Sequence, residues 1–203
     1  MKHASKSQND QKLRCWWCGD DALYLAYHDA EWGVPVTEDR RLFEKLVLEG
    51  FQSGLSWITI LRKRPAFREV FSDFEPAAVA ALRERDVARL LLDARIIQHR
   101  GKIEAAVSNA RAYAELVARE GSLSDFVWRF APTRQAIRRR KGDVPSSSVE
   151  SVAFSKELRR RGWRFVGPTT AYAFFQAMGL VNDHLSDCFR HAEIAALARP
   201  TRG

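Results

Sequence analysis

Four of the metal-binding side chains in this sequence fall in two pairs, one toward each end of the chain. His184 and Cys188 are four apart in Val181-Asn182-Asp183-His184-Leu185-Ser186-Asp187-Cys188. On a helix, side chains at that spacing share a face and can share one metal ion. Toward the other end stand Cys15, Cys18 and His28. Four nitrogen and sulfur ligands suit a closed tetrahedral zinc site. Cys18 competes with His28 for the fourth place, because Cys15 and Cys18 also form a Cys-x-x-Cys pair. Taken singly, each residue is as well explained as a buried thiol or a hydrogen-bonded core histidine.

A second chemical feature is Gly162-Trp163-Arg164-Phe165-Val166-Gly167, between what reads as a helix ending over Lys156 to Arg161 and a helix opening at Pro168-Thr169-Thr170-Ala171. Glycine suits a tight turn because it tolerates positive φ. Proline at the first helical position loses no needed donor. The amides at such a helix start, backed by the positive end of the helix dipole, can hold a phosphate without reading sequence. The arrangement resembles the helix-hairpin-helix motif of base-excision glycosylases, although a helix–turn–helix alone is commonly just a helical corner. Charge is compatible with a nucleic-acid partner: 33 Lys and Arg against 25 Asp and Glu give a formal net charge of +8, which points to an anionic partner without choosing among DNA, RNA and a membrane surface.

The elements that must position these groups read as helices. With 46% hydrophobic residues in 203, the chain can bury a core and fits one domain, expected over 14–195. Thr37 to Gly54 has helical spacing at Leu42, Leu46, Val47 and Phe51, with Thr37 as its cap. Ser56 caps a second helix through Trp57, Ile60 and Leu61, and Pro76 opens a third with Val79, Ala80 and Leu82. Glu84 to Ala94 and Gly101 to Arg119 continue the pattern. Ala171, Phe174, Phe175 and Met178 fall on one face of the helix that Pro168 opens. No strand-type alternation is sustained, so the fold class is all-α. Residues 1–13 read as a flexible basic arm, 196–203 as a frayed tail, and 138–150, from the Arg138-Arg139-Arg140-Lys141 run onward, as an exposed mobile loop. No stretch reaches the ~18 apolar residues of a membrane span, and the start lacks a signal-peptide core. A cytoplasmic protein with reduced cysteines is expected.

Three segments taken together are more specific. They are Arg14-Cys15-Trp16-Trp17-Cys18 with Leu23-Tyr24-Leu25-Ala26-Tyr27-His28-Asp29-Ala30-Glu31-Trp32-Gly33-Val34-Pro35; Leu48-Glu49-Gly50-Phe51-Gln52-Ser53-Gly54-Leu55-Ser56-Trp57; and Phe165-Val166-Gly167 running to Asn182-Asp183-His184 and Cys188. In this order they resemble the bacterial 3-methyladenine-DNA glycosylase I family, from about Arg14 to His191, and Ile96-Ile97 with His99-Arg100-Gly101-Lys102-Ile103 fits it too. The resemblance implies a helix-hairpin-helix glycosylase fold with one structural zinc joining the chain ends, held by Cys15, His28, His184 and Cys188 and leaving Cys18 outside. It implies a base pocket of Trp17, Tyr24, Tyr27, Glu49 and Trp57, with Glu49 and Tyr27 closest to the chemistry. DNA contacts map to Gln52, Leu55, Gly162, Gly167 and Thr169. The implied partner is double-stranded DNA containing 3-methyladenine, bound by a monomer.

The implied chemistry is self-consistent. A glycosidic bond inside stacked DNA is reached only by flipping the nucleotide out. Methylation at N3 makes adenine cationic, weakens its pairing and makes it a good leaving group. Aromatic rings stack on such a flat, electron-poor base, and a carboxylate accepts from its amino edge. Most helix-hairpin-helix glycosylases carry an Asp where this chain has Asn182, with Asp183 beside it. A base already cationic leaves without much carboxylate assistance, whereas an undamaged one would need it. The lysine nucleophile of bifunctional relatives is replaced by Thr169, so strand cleavage is not expected. Two rival expectations are a zinc-stabilised DNA-binding module without catalysis, which would not need the Trp/Tyr/Glu cluster, and a glycosylase of the same fold with a broader range of alkylated bases.

Overall fold

The computed structural model describes residues 12–197. Among the described residues there are ten α-helices: α1 (Ala22–Ala30), α2 (Asp39–Gln52), α3 (Trp57–Val70), α4 (Pro76–Ala80), α5 (Glu84–Leu90), α6 (Arg100–Glu120), α7 (Leu123–Trp128), α8 (Val149–Arg160), α9 (Pro168–Ala177) and α10 (Arg190–Leu197). Among the described residues β-pairing is limited to one isolated bridge between Arg138 and Leu185, so the all-α expectation holds. The tail expected over 196–203 and the arm over 1–13 lie largely outside the described residues. Within them, Phe189 donates its amide to the Leu13 carbonyl (3.0 Å), tying the start of the described chain to its last turns.

The organising element is α2. Every residue from Leu42 to Phe51 is buried, and the helix packs against α3, α6, α7 and α9. A helix surrounded on all sides is ordinarily apolar throughout. This one also buries Glu44, Lys45 and Glu49, and buried charges persist only when partnered. Glu44 is held by Arg68 from α3 at 2.8 Å, and Lys45 by Glu49 one turn on at 2.8 Å. The start of α2 differs from expectation. Its cap position is Glu38, and no side-chain cap forms. The Asp39 carboxylate instead accepts the amides of Leu123 (2.9 Å) and Ser124 (2.8 Å), fixing the start of α7 on α2. Ser56 does precede α3, but its hydroxyl pairs with that of Thr59 (2.8 Å) and not with the helix backbone.

The hairpin is α8, the turn 161–167 and α9. Gly162 has φ +82°, where only glycine is unstrained. Gly167 does not need that freedom (φ −64°); a Cβ there would meet nothing within 4 Å, so its backbone stands open to an approaching group. The turn is clamped from α6, where the Asn109 amide accepts from Arg164 N (2.8 Å) and donates to Arg164 O (3.0 Å). Glycine is also required at Gly179, where a Cβ would lie 2.5 Å from Pro35 N. That close approach lets Val36 donate to Met178 O (3.2 Å), which packs the segment after α1 against the end of α9.

Candidate active site and metal centre

Asp21 starts α1 by accepting the amides of Leu23 and Tyr24. The helix therefore presents Tyr24, Tyr27 and His28 toward the molecule's interior, where Tyr27 and His28 are buried. These residues meet α2, α3 and α9 around a cavity of about 300 Å³. Its wall includes Trp17, Tyr24, Tyr27, Glu49, Gln52 and Trp57, so all five residues of the expected base pocket, and Gln52, come together. Trp17 lies 4.9 Å from Tyr24 and Tyr27 lies 5.5 Å from Trp57, centroid to centroid. The indole N–H groups of Trp17 and Trp57 are buried without a hydrogen-bond partner, and donors in that state lack the pairing that buried polar groups ordinarily find. Leu55 is exposed on the turn after α2 and is not part of the wall. Lys102 fixes that turn through the carbonyls of Phe51 (2.9 Å) and Ser53 (2.6 Å).

The cavity also holds groups that the sequence reading did not single out. Trp16, Trp32, Lys45, Gln176 and Asp183 line it, as do Val144 and Pro145 from the loop after Arg138. Lys45 donates to Glu49 Oε1 (2.8 Å) and to the Tyr27 hydroxyl (3.0 Å), and its Nζ lies 3.1 Å from the centre of the Trp57 ring. Burial pushes the Glu49 carboxyl up, partly offset by Lys45. Burial likewise pulls the Lys45 ammonium down to about 8 against the opposing pull of Glu49. The i,i+4 spacing of Lys45 and Glu49 was visible in the sequence, and the resemblance put Glu49 in the base pocket, but nothing there marked Lys45 as its interior partner.

Asn182 does not face the cavity. Its side chain donates to His191 O (3.0 Å) and accepts from the His184 amide (3.3 Å). The neighbouring Asp183 does reach the wall, already accepting from Arg138 Nε (2.8 Å), Tyr172 (2.7 Å) and Gln176 (2.9 Å). Arg138 is thus a largely covered clasp holding the loop to the cavity, while Arg139, Arg140 and Lys141 are exposed. Thr169 lies exposed in the first turn of α9, where no side-chain cap forms. Gly162 and Gly167 flank the turn before it.

Cys15, His28, His184 and Cys188 are all buried, and their ligand atoms lie within 4.8 Å of one another. The spacing of His184 and Cys188 would put both on one face of a helix. The structure places both in a turn-rich segment before α10, with Cys188 N bonded to Leu185 O at 2.8 Å, so a turn brings them together. Sulfur–nitrogen separations are 3.6 Å from Cys15 to His184, and 3.5 Å from Cys188 to both His28 and His184. Zinc bonds of about 2.3 Å to sulfur and 2.0–2.1 Å to nitrogen, at a tetrahedral angle, put S and N about 3.6 Å apart. The remaining ring nitrogens are occupied: His28 Nδ1 on Asp29 (2.7 Å), itself held by Arg14, and His184 Nε2 on the Trp32 carbonyl (3.1 Å). Such partners fix which nitrogen is free to ligate. Cys18 is outside the group, its sulfur directed to the Cys15 carbonyl (3.1 Å). The donor set and spacing fit a metal ion. Trp17 and Trp32, both in the cavity wall, lie against the metal-site imidazoles, at 5.3 Å from His28 and 4.6 Å from His184.

Comparison with known proteins agrees with this geometry. The methyladenine glycosylase family model matches residues 17–191. The DNA-3-methyladenine glycosylase 1 of Escherichia coli (strain K12) is 50% identical over 177 residues, 86% of this chain and 95% of that protein. A crystal structure of a 3-methyladenine DNA glycosylase I superposes with a TM-score of 0.86 at 49% identity, covering 88% of this chain and all of that one. A further structure, of a variant 3-methyladenine DNA glycosylase I in complex with 3-methyladenine, gives 0.84 at 36% identity, covering 87% of this chain and 96% of that one. With a family match over most of its length and a half-identical relative of nearly equal extent, this chain belongs to the methyladenine glycosylase family.

Proposed function

We propose that this chain is a monofunctional DNA repair N-glycosylase that hydrolyses the N-glycosidic bond of 3-methyladenine in alkylated duplex DNA. The observation that carries the reading is the cavity of about 300 Å³ in which aromatic rings surround the buried Glu49 carboxylate, the other buried acid of the wall, Asp183, being held by Arg138, Tyr172 and Gln176. A DNA-binding module without catalysis has no use for such a cavity. A flipped 3-methyladenine stacks among Trp17, Tyr24, Tyr27 and Trp57, and Glu49 accepts hydrogen bonds from its amino edge. The C1′–N9 bond breaks with its electron pair moving to the base, which leaves neutral; the positive charge passes to the sugar, and water adds there with loss of a proton. No carboxylate need protonate the leaving group, which suits a site whose second acid, Asp183, is already engaged by three donors.

The α8–α9 hairpin serves as the phosphate anchor through Gly162, Gly167 and Thr169, while Gln52 and Leu55 fill the gap the flipped nucleotide leaves. Thr169 offers no amine, so the product is an intact strand with an abasic site. Cys15, His28, His184 and Cys188 hold one zinc ion, whose part is structural: it joins the segments carrying Trp17 and Tyr27 to the segment carrying Asp183. The chain works as a monomer on DNA in the cytoplasm. Among the described residues, no helix is long and apolar enough to cross a membrane. A broader range of alkylated bases is the second reading, favoured by the roominess of a cavity of about 300 Å³. Chromatography of bases released from methylated DNA tests both: 3-methyladenine alone supports the first, additional bases the second, and no release refutes both.

A further inference from the structure

Lys45 has no assigned part in the reaction, yet its ammonium touches three residues of the pocket. It donates to Glu49 Oε1 at 2.8 Å and to the Tyr27 hydroxyl at 3.0 Å, and it sits 3.1 Å over the Trp57 ring. An ammonium has three donors, and here the carboxylate, the hydroxyl and the ring face take them. The side chain is 7% exposed and that of Glu49 4%. Burying both charges is expensive, and an apolar side chain of similar volume in place of a buried ion pair is often neutral or stabilising. Stability alone therefore does not account for an ammonium here.

We propose that Lys45 is a positioning residue of the base pocket: it keeps the Glu49 carboxylate ionised and aimed for the base, and by occupying the Tyr27 oxygen as a donor it leaves the hydroxyl proton free to turn into the cavity. The proposal rests on the base-pocket reading. Burial pushes the Glu49 carboxyl up, and Lys45 offsets this through both its charge and its hydrogen bond. The other ionisable groups near the pair do not replace it. From α1 come Tyr24 and Tyr27, and from the residue that follows it Glu31, whose ionised forms would oppose a second negative charge. From α3 come Arg64 and Arg68, taken by Glu31 (2.6 Å) and Glu44 (2.8 Å). Asp183, elsewhere in the wall, is paired with Arg138, and α9 contributes the neutral Gln176. Behind the pocket, a smaller cavity of about 40 Å³ is lined by Lys45 together with Glu31, Glu44, Arg41, Arg64 and Arg68. That is room for a few waters; Glu31 and Glu44 are matched by Arg64 and Arg68, while Arg41, one turn before Lys45 on α2, is exposed to solvent, where its charge is screened.

Without Lys45, Glu49 becomes a buried carboxylate with no cation beside it, and burial then pushes its carboxyl up unopposed. The base-accepting form is disfavoured progressively as pH falls. The test is calorimetric titration of free 3-methyladenine into wild type, Lys45→Met and Lys45→Arg between pH 6.5 and 9. Each variant is expressed as a ratio to wild type, so that the ligand's own titration cancels. Lys45→Met should bind about ten-fold more weakly than wild type at pH 6.5. The two should converge by pH 9, where most wild-type lysine, with a pKa of about 8, is itself neutral. Lys45→Arg, which keeps a cation, should stay within a few-fold of wild type throughout. Should Lys45→Met fail to fold, Lys45→Gln, which keeps polar donors without charge, should show the same acid-side loss. A loss that is equal at all pH values, or no loss, overturns the proposal. Failure of the wild type to bind the base overturns the base-pocket reading itself, a separate result.

Discussion

Replacing Glu49 by Gln tests the pocket, and the structure sets the size of the effect. The amide keeps the shape but removes the charge, and it can present a donor where the adenine amino edge needs an acceptor. One or two charge-assisted hydrogen bonds to the base are lost, worth about 1–3 kcal/mol in all, or roughly 5- to 150-fold in Kd. The same change strands the Lys45 ammonium, which is buried and bonded to Glu49 at 2.8 Å. Breaking a buried pair can cost about 3–5 kcal/mol when the survivor stays charged. Here the survivor has a cheaper route. Burial already holds Lys45 at about 8, so shedding its proton at pH 7 adds only about 1–2 kcal/mol, at about 1.4 kcal/mol per pH unit. The sign follows: the stranded lysine is neutral in the variant, so its deficit against wild type is the cost of the proton that wild-type Lys45 still holds, and that cost falls away as pH rises through about 8, where wild-type Lys45 gives up the same proton. Glu49→Gln should therefore fold, with a stability deficit at pH 7 that is nearly gone at pH 8–9. The assays are denaturant unfolding at the two pH values, calorimetric titration of the free base, and single-turnover excision. If base affinity and excision rate both match wild type, Glu49 is no part of base recognition and the pocket assignment is wrong.

Three further outcomes follow from other parts of the molecule. Purified protein should contain about one zinc per chain. Cys15→Ser or His184→Ala should lower metal content and stability together, and metal analysis finding no zinc in wild type would contradict the ligand assignment. Replacing Gly167, whose backbone stands open at the start of α9, by Leu should weaken binding to damaged and undamaged duplex alike, and wild-type affinity should fall steeply with salt; unchanged affinity of the variant for plain duplex would remove the hairpin as anchor. Borohydride added during turnover on methylated DNA should trap no covalent complex, because Thr169 has no amine and the amines of Lys45 and Lys102 are already engaged; a trapped species would show that a lysine forms an imine.

The sequence was informative where residues act locally or in long idiosyncratic runs. Pro76 and Pro168 open helices as their fixed φ suggests, and the apolar spacing of α2 and α6 marked both. The residues mapped to the base pocket and the metal centre do converge. What could not be read depends on packing. Helix α1, which carries Tyr24, Tyr27 and His28, has weak amphipathic patterning and is started by Asp21, one of two adjacent aspartates that reads as part of a polar turn. The partnership of Lys45 and Glu49 looks like an ordinary surface i,i+4 pair until α2 is seen to be buried on every side. Arg138 looked like one of four solvated cations, and its pairing with Asp183 spans 45 residues, a separation that no local pattern reports. His184 and Cys188 do come together with Cys15 and His28, but through a turn and not along a helix.

The most direct measurement of the central claim is the release of bases from duplex DNA treated with a methylating agent, with the excised bases separated by chromatography and the strand examined on a denaturing gel. Free 3-methyladenine is expected, with none from unmethylated DNA, and a strand left intact with abasic sites until alkali cleaves it. Tight binding of the methylated duplex with no base released would contradict the claim, and would make this a binding module and not an enzyme.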